Sequence, residues 1–194
     1  MISPAKITRT VTPILNGDFD IVSLSREQHK ADRLVSKANH IAVIPFDCMP
    51  DGTIKSIYGL KFENHAIGQK DVTLLTDQFD QSRDKTAYDA VFRLFLEEAG
   101  LNLEEAGIIE DDIFYLGNIT SAVPVNSKFK CFAVDLTRLT GPKSNPEFTR
   151  NLSKSSFDKE TSEIAKIGFN QIVNGDFTDS MILSGSFLLI SYFS

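Results

Sequence analysis

The sequence predicts an α/β domain in which a mixed β-sheet is sandwiched between helices. A chain of 194 residues, with 42% hydrophobic and 24% charged side chains, has the size and balance of an ordinary globular unit that buries a core. One segment, residues 85–99, is free of Gly and Pro and is followed by Gly100, the pattern of an α-helix with its stop signal. Strand-like apolar runs flank it, at 41–46 and 54–62 before and at 113–116 and 129–136 after, so strands and helix alternate along the chain.

In chain order, residues 11–15 and 19–24 lie on either side of Asn16-Gly17-Asp18, the signature of a hairpin whose Asn-Gly supplies the positive backbone angles of a tight turn. Ser25 then stands as the cap of a short amphipathic helix over 26–38, with Ala31, Leu34, Val35 and Ala38 at helical spacing. Residues 1–39 therefore read as an N-terminal accessory element, hairpin plus short helix, ahead of a main domain at 40–194. In the main domain 41–46 is a compact strand, Asp51-Gly52 a turn and 54–62 a second strand. The polar stretch 68–84 carries Asp71, Asp77, Asp80 and Asp84, with only Val72, Leu74, Leu75 and Phe79 to anchor it, and is predicted to be a loop.

Asp84 or Thr86 can cap the helix that follows. On it Ala87, Ala90, Val91, Leu94 and Phe95 share one side, and Tyr88, Phe92 and Leu96 widen that surface, so the helix is expected to pack on several sides. Strands follow at 113–116 and 129–136, and residues 141–156, rich in Ser, Lys, Asn and Pro, read as an exposed loop. The apolar segment 181–193 is interrupted by Ser184, Gly185, Ser186 and Ser191 and is shorter than the roughly 20 residues of a membrane helix. It is predicted to be a core element.

A formal net charge of -6 argues against an extended nucleic-acid surface, which needs clustered Lys and Arg to neutralise phosphates. It leaves room for a small nucleotide, whose repulsion one metal ion offsets. Cys48 and Cys131 lie inside apolar runs and are expected to be buried free thiols. The first ten residues lack the basic flank and apolar stretch of a secretory signal, which predicts a cytoplasmic setting. His29, His40 and His65 are scattered and read as surface or strand-edge residues.

The informative stretch is Arg93-Leu94-Phe95-Leu96-Glu97-Glu98-Ala99-Gly100-Leu101. At about 100° per residue, positions 94, 97 and 98 fall on one helix face. Two adjacent carboxylates on rigid backbone suit a hard cation such as magnesium, which takes oxygen ligands and keeps waters and substrate phosphates in its remaining positions. By themselves, Glu97 and Glu98 also suit a solvated helix end, and Arg93 with Glu97 an exposed pair of about 0.3 to 0.5 kcal/mol.

This stretch resembles the Nudix box, in which a Gly is followed after five residues by Glu and, after seven more, by Arg-Glu-hydrophobic-any-Glu-Glu-any-Gly-hydrophobic. Arg93, Phe95, Glu97, Glu98, Gly100 and Leu101 match it. Phe79 stands at the box Gly, Lys85 at its first Glu, and Leu94 at the Glu that completes the metal cluster. The likeness extends over about residues 41–193, with 41–46 as the family's opening core strand, 113–117 and 129–137 as strands after the helix, and the chain from 160 as the closing strand and carboxy-terminal helix. It implies a Nudix-like α/β/α sandwich, magnesium as cofactor with Glu97 and Glu98 as ligands, Arg93 orienting the carboxylates, and a small-molecule substrate in which a nucleoside diphosphate is linked to another group.

Leu94 can neither coordinate a metal nor accept a proton, and Lys85 puts a positive charge where the box has an acid, able to compete with metal or to contact phosphate. The departures thus predict a nucleotide-binding or assembly module with weak or absent hydrolysis. An active magnesium-dependent hydrolase is the alternative, with Asp77, Asp80 or Glu163 supplying the missing acid. A purely structural subunit, contacting a protein partner or further copies of itself, is the third reading.

Overall fold

The computed structural model describes residues 8–14, 19–26, 29–36, 39–64, 69–121, 127–140, 164–174 and 179–194. Three strands come first, β1 (Thr8–Ile14), β2 (Phe19–Arg26) and β3 (His29–Ser36), paired antiparallel in the order β1-β2-β3 as a sheet of their own. The hairpin expected at the start is present as the β1–β2 ladder, and its residues 16–18 lie outside the described residues. The helix expected over 26–38 is instead a strand over 29–36. Eight residue pairs, from Phe19↔Ser36 to Arg26↔His29, join β3 to β2. Intrinsic helix preference is worth only tenths of a kcal/mol per residue, and a ready-made strand edge outweighs it.

The second sheet is built around β4 (His40–Cys48), which runs antiparallel to β5 (Ile54–Asn64) and β7 (Leu75–Gln78) and parallel to β9 (Ser127–Asp135). β8 (Ile113–Ser121) pairs with β9, while β6 (Gln69–Thr73) and β10 (Ile164–Gly168) pair with β5. The sheet is therefore mixed, as the sequence predicts. Residues 69–78, read as loop, are two short strands: they are too brief and polar to show a period of two, and their ladders to β5 and β4 supply what the pattern lacks. Residues 141–156, read as an exposed loop, lie outside the described residues.

β4 is buried from Ile41 through Asp47 because both of its faces are covered. Ile41 and Val43 point into a cluster with Ala90, Val91, Leu94 and Phe95 of α1 (Ala87–Ala99), whereas Ala42, Ile44 and Phe46 point into one with Met181, Ile182 and Leu189 of α4 (Ser180–Phe193). This two-faced alternation produces the α/β/α sandwich. Between them in sequence lie two short helices, α2 (Thr137–Thr140) and α3 (Phe169–Asn174). At Gly185 a Cβ would come within 2.7 Å of Leu74 Cδ1, so the absence of a side chain is what lets α4 lie this close to the sheet. No described helix is long and apolar enough to cross a membrane. Both cysteines are free; Cys131 is fully buried, which pushes its thiol up to about 12, and Cys48 is half-buried.

Candidate functional site

Helix α1 begins where its chemistry permits. The Thr86 hydroxyl accepts the Asp89 N–H and the Asp89 carboxylate accepts the Thr86 N–H, a reciprocal capping box. Gly100, at φ 62°, ends the helix with its N–H on the Leu96 carbonyl at 3.1 Å. These two stops fix which residues face the sheet and which face the loop before the helix. Of the two caps allowed by the sequence, Thr86 is the one used; Asp84 is turned to another task.

That task is holding Arg93. Arg93 Nε and Nη2 donate to the two oxygens of Asp84, each at 2.9 Å. The Arg93 side chain is 12% exposed and that of Asp84 is 1% exposed, so this two-pronged pair is shielded from water. Nη1 of Arg93 also donates to Asp77 and, at 2.8 Å, to Glu97 Oε2, while Nη2 reaches the Gln78 carbonyl at 3.1 Å. The Arg93 hydrogen bond holds the Asp84 carboxyl below the usual carboxylate range, and Asp84 raises the Arg93 guanidinium in return.

A second arginine completes the cluster from the loop side. Arg83 Nη1 donates to Glu97 Oε1 at 2.8 Å and its Nε to Asp80 Oδ2 at 2.9 Å. Asp80 is fixed in turn, its Oδ1 accepting the Ser82 hydroxyl at 2.6 Å and the Ser82 N–H at 2.9 Å. These hydrogen bonds, with Arg83, bring its carboxyl down to about 2. The loop closes as the Asp80 N–H donates to Asp84 Oδ2 at 2.9 Å.

Of the residues singled out in the sequence, Arg93, Glu97, Asp77 and Asp80 meet, with their partners largely assigned. Both oxygens of Glu97 carry a guanidinium hydrogen bond. Glu98 is half-buried, and burial, followed by the charges of Asp77 and Glu97, raises its carboxyl above the usual range. Leu94 is 1% exposed in the α1 face of the core, and Lys85 is on the surface. Asp77 and Asp80 belong to the cluster; Glu163 lies outside the described residues. By sequence pattern Asp84 is only a candidate helix cap, and Arg83 belongs to no motif. The available signal was charge balance, since a loop with three acids ahead of an acidic helix end needs cations and Arg83 and Arg93 are the nearest guanidinium groups.

Among the described residues no three of His, Cys, Asp and Glu are grouped to hold a metal ion. The donor set does not fit the magnesium centre implied by the resemblance. One acid of that centre is a buried leucine, another is a lysine, and Glu97 has neither oxygen unpaired.

No family model matches the sequence, and no curated protein does. Solved structures do. An ADP compounds hydrolase is 16% identical with a TM-score of 0.57, and the alignment covers 99% of this chain and 96% of that one. The Nudix domain of Shewanella oneidensis NrtR, in complex with ADP ribose, is 10% identical over 80% of this chain and 89% of that one, with a TM-score of 0.49. A MutT/Nudix family protein from Listeria innocua is 14% identical over 80% of this chain and 95% of that one, with a TM-score of 0.45.

Proposed function

Starting from the Nudix fold that this chain has, we propose that the protein binds a nucleoside diphosphate-linked small molecule and hydrolyses it slowly or not at all. The observation that carries this reading is Leu94, packed at 1% exposure where the resembled box has an acid. A carboxylate there would lose its hydration inside a hydrophobic cluster, so no simple rotation makes this position a ligand. The closed network of Asp77, Asp84, Arg93 and Glu97 supports the same conclusion. ADP compounds, the class named for the hydrolase of similar fold, are the ligands to try first. We assign residues 1–39 to an accessory element beside the nucleotide-binding domain.

A second reading keeps the chain an active hydrolase, with Asp77 in place of the missing acid. It is favoured by one observation: Asp77 shares Arg93 Nη1 with Glu97, which brings this loop-side acid to the acidic end of the helix. Turnover separates the two. ADP-ribose, dinucleotides and capped-RNA analogues are offered with and without magnesium, and binding is followed in chelator. Binding with turnover well below ~1 per second is expected; ~1 per second or faster, which lies in the ordinary enzyme range, and abolished by Glu97→Gln with Glu98→Gln, would establish the hydrolase instead.

A further inference from the structure

We propose that Arg83 is the resident cation of the carboxylate cluster and closes it to divalent metal ions. The inference rests on the reading above, that this cluster does not serve metal-dependent turnover, and it names the residue responsible. Four acids, Asp77, Asp80, Asp84 and Glu97, are gathered around two guanidinium groups, one from the helix and one from the loop before it. Arg93 comes from the helix and takes Oε2 of Glu97; Arg83 comes from the loop and takes the remaining oxygen, Oε1. A metal ion that used Glu97 would have to displace one of them.

Arg83 is well placed to resist. Its Nε is tied to Asp80, and Asp80 is tied to Ser82 by hydroxyl and backbone, so the guanidinium is set over Glu97 by a short chain of hydrogen bonds within one turn. A small divalent ion needs oxygens at about 2.0–2.1 Å and carries twice the charge of the groups already present. With positive charge on both carboxylate oxygens, its approach is opposed by Coulomb repulsion and by the loss of two charge-assisted hydrogen bonds. Magnesium is also reluctant to shed water, which leaves little to offset that loss.

The two arginines differ in what depends on them. Arg93 is enclosed and anchors the buried Asp84, whereas the Arg83 side chain is 52% exposed and forms its ion pairs with Asp80 and Glu97. Replacing Arg83 therefore removes a charge without opening the core. Lysine in its place would keep a positive charge, though without the fork that spans two acids.

Titration calorimetry with Mn2+ on the full chain tests this in four proteins, each first checked by thermal melting. Arg83→Met is expected to bind Mn2+ at least tenfold more tightly than the natural protein, and Arg83→Met combined with Glu97→Gln to lose that gain. Arg83→Lys, which keeps the charge without the fork, is expected to gain clearly less than Arg83→Met, and Arg83→Gln stands in for Arg83→Met if the latter melts early. A natural protein that already binds Mn2+ as tightly as the neutral variants, or an Arg83→Lys that gains as much as they do, overturns the proposal. ADP-ribose binding in chelator is measured alongside; its absence would count against the proposed function while leaving the Mn2+ comparison intact.

Discussion

Asp84 and Asp47 are both acids inside the protein, with side chains 1% and 2% exposed, and each faces a cation from a neighbouring element. Asp84 has both oxygens satisfied, because the planar guanidinium of Arg93 reaches both and the Asp80 N–H adds a third bond. Asp47, at the far end of β4, meets the point charge of Lys166. Its Oδ2 accepts Lys166 Nζ at 2.9 Å and the Tyr58 hydroxyl at 3.2 Å, and its buried Oδ1 has no hydrogen-bond partner among the described residues. The difference teaches that charge pairing alone does not fix a buried acid. The two-pronged geometry of arginine determines the loop before α1, whereas the single ammonium of Lys166 reaches only one oxygen of its acid.

The largest effect that sharpens this contrast is expected from Leu94→Glu. It places an acid in the core one helical turn from Glu97 and Glu98, within an apolar cluster, and should lower unfolding free energy by about 4 kcal/mol. Urea denaturation measures it, and a cost below about 1 kcal/mol would mean that position 94 can turn toward the carboxylates after all. Asp84→Ala comes next, at about 3 kcal/mol, because it strips Arg93 of its principal partner in a shielded place. Asp47→Asn should cost about 1 kcal/mol or less, since its cation, Lys166, is 46% exposed and bonds only Oδ2. Equal losses for Asp84→Ala and Asp47→Asn would break the comparison.

The smallest effect is a dependence on pH. The Asp84 carboxyl is lowered in the folded protein by its Arg93 hydrogen bonds. Its contribution is thus complete above the ordinary carboxylate value of about 3.9 and is lost as pH falls through the lowered folded value. The melting-temperature gap between the natural protein and Asp84→Asn should be constant from pH 7 to about 5 and close below about pH 4. A gap that widens with acid would mean that Asp84 is not the carboxylate paired with Arg93.

Helix α1 and the strands flanking it were legible because each carries a long periodic or apolar run with its own stop, such as Gly100. β3, β6 and β7 were not, because their state is decided by a neighbour's edge, which no local pattern reveals. Within the site, Arg93, Glu97 and Glu98 stood out by spacing, and Asp77 and Asp80 by their loop. Asp84 and Arg83 did not, since their hydrogen bonds to the helix span 9 and 14 residues, beyond any local pattern.

Anomalous diffraction from crystals holding ADP-ribose and Mn2+ tests the central claim most directly, that Glu97 and the loop acids beside it are committed to arginine. The expected result keeps both arginines on Glu97 and shows no manganese peak within coordination distance of Glu97 or Glu98. A peak bound by Glu97, Glu98 and Asp77, with Arg83 swung away from Oε1, would contradict it.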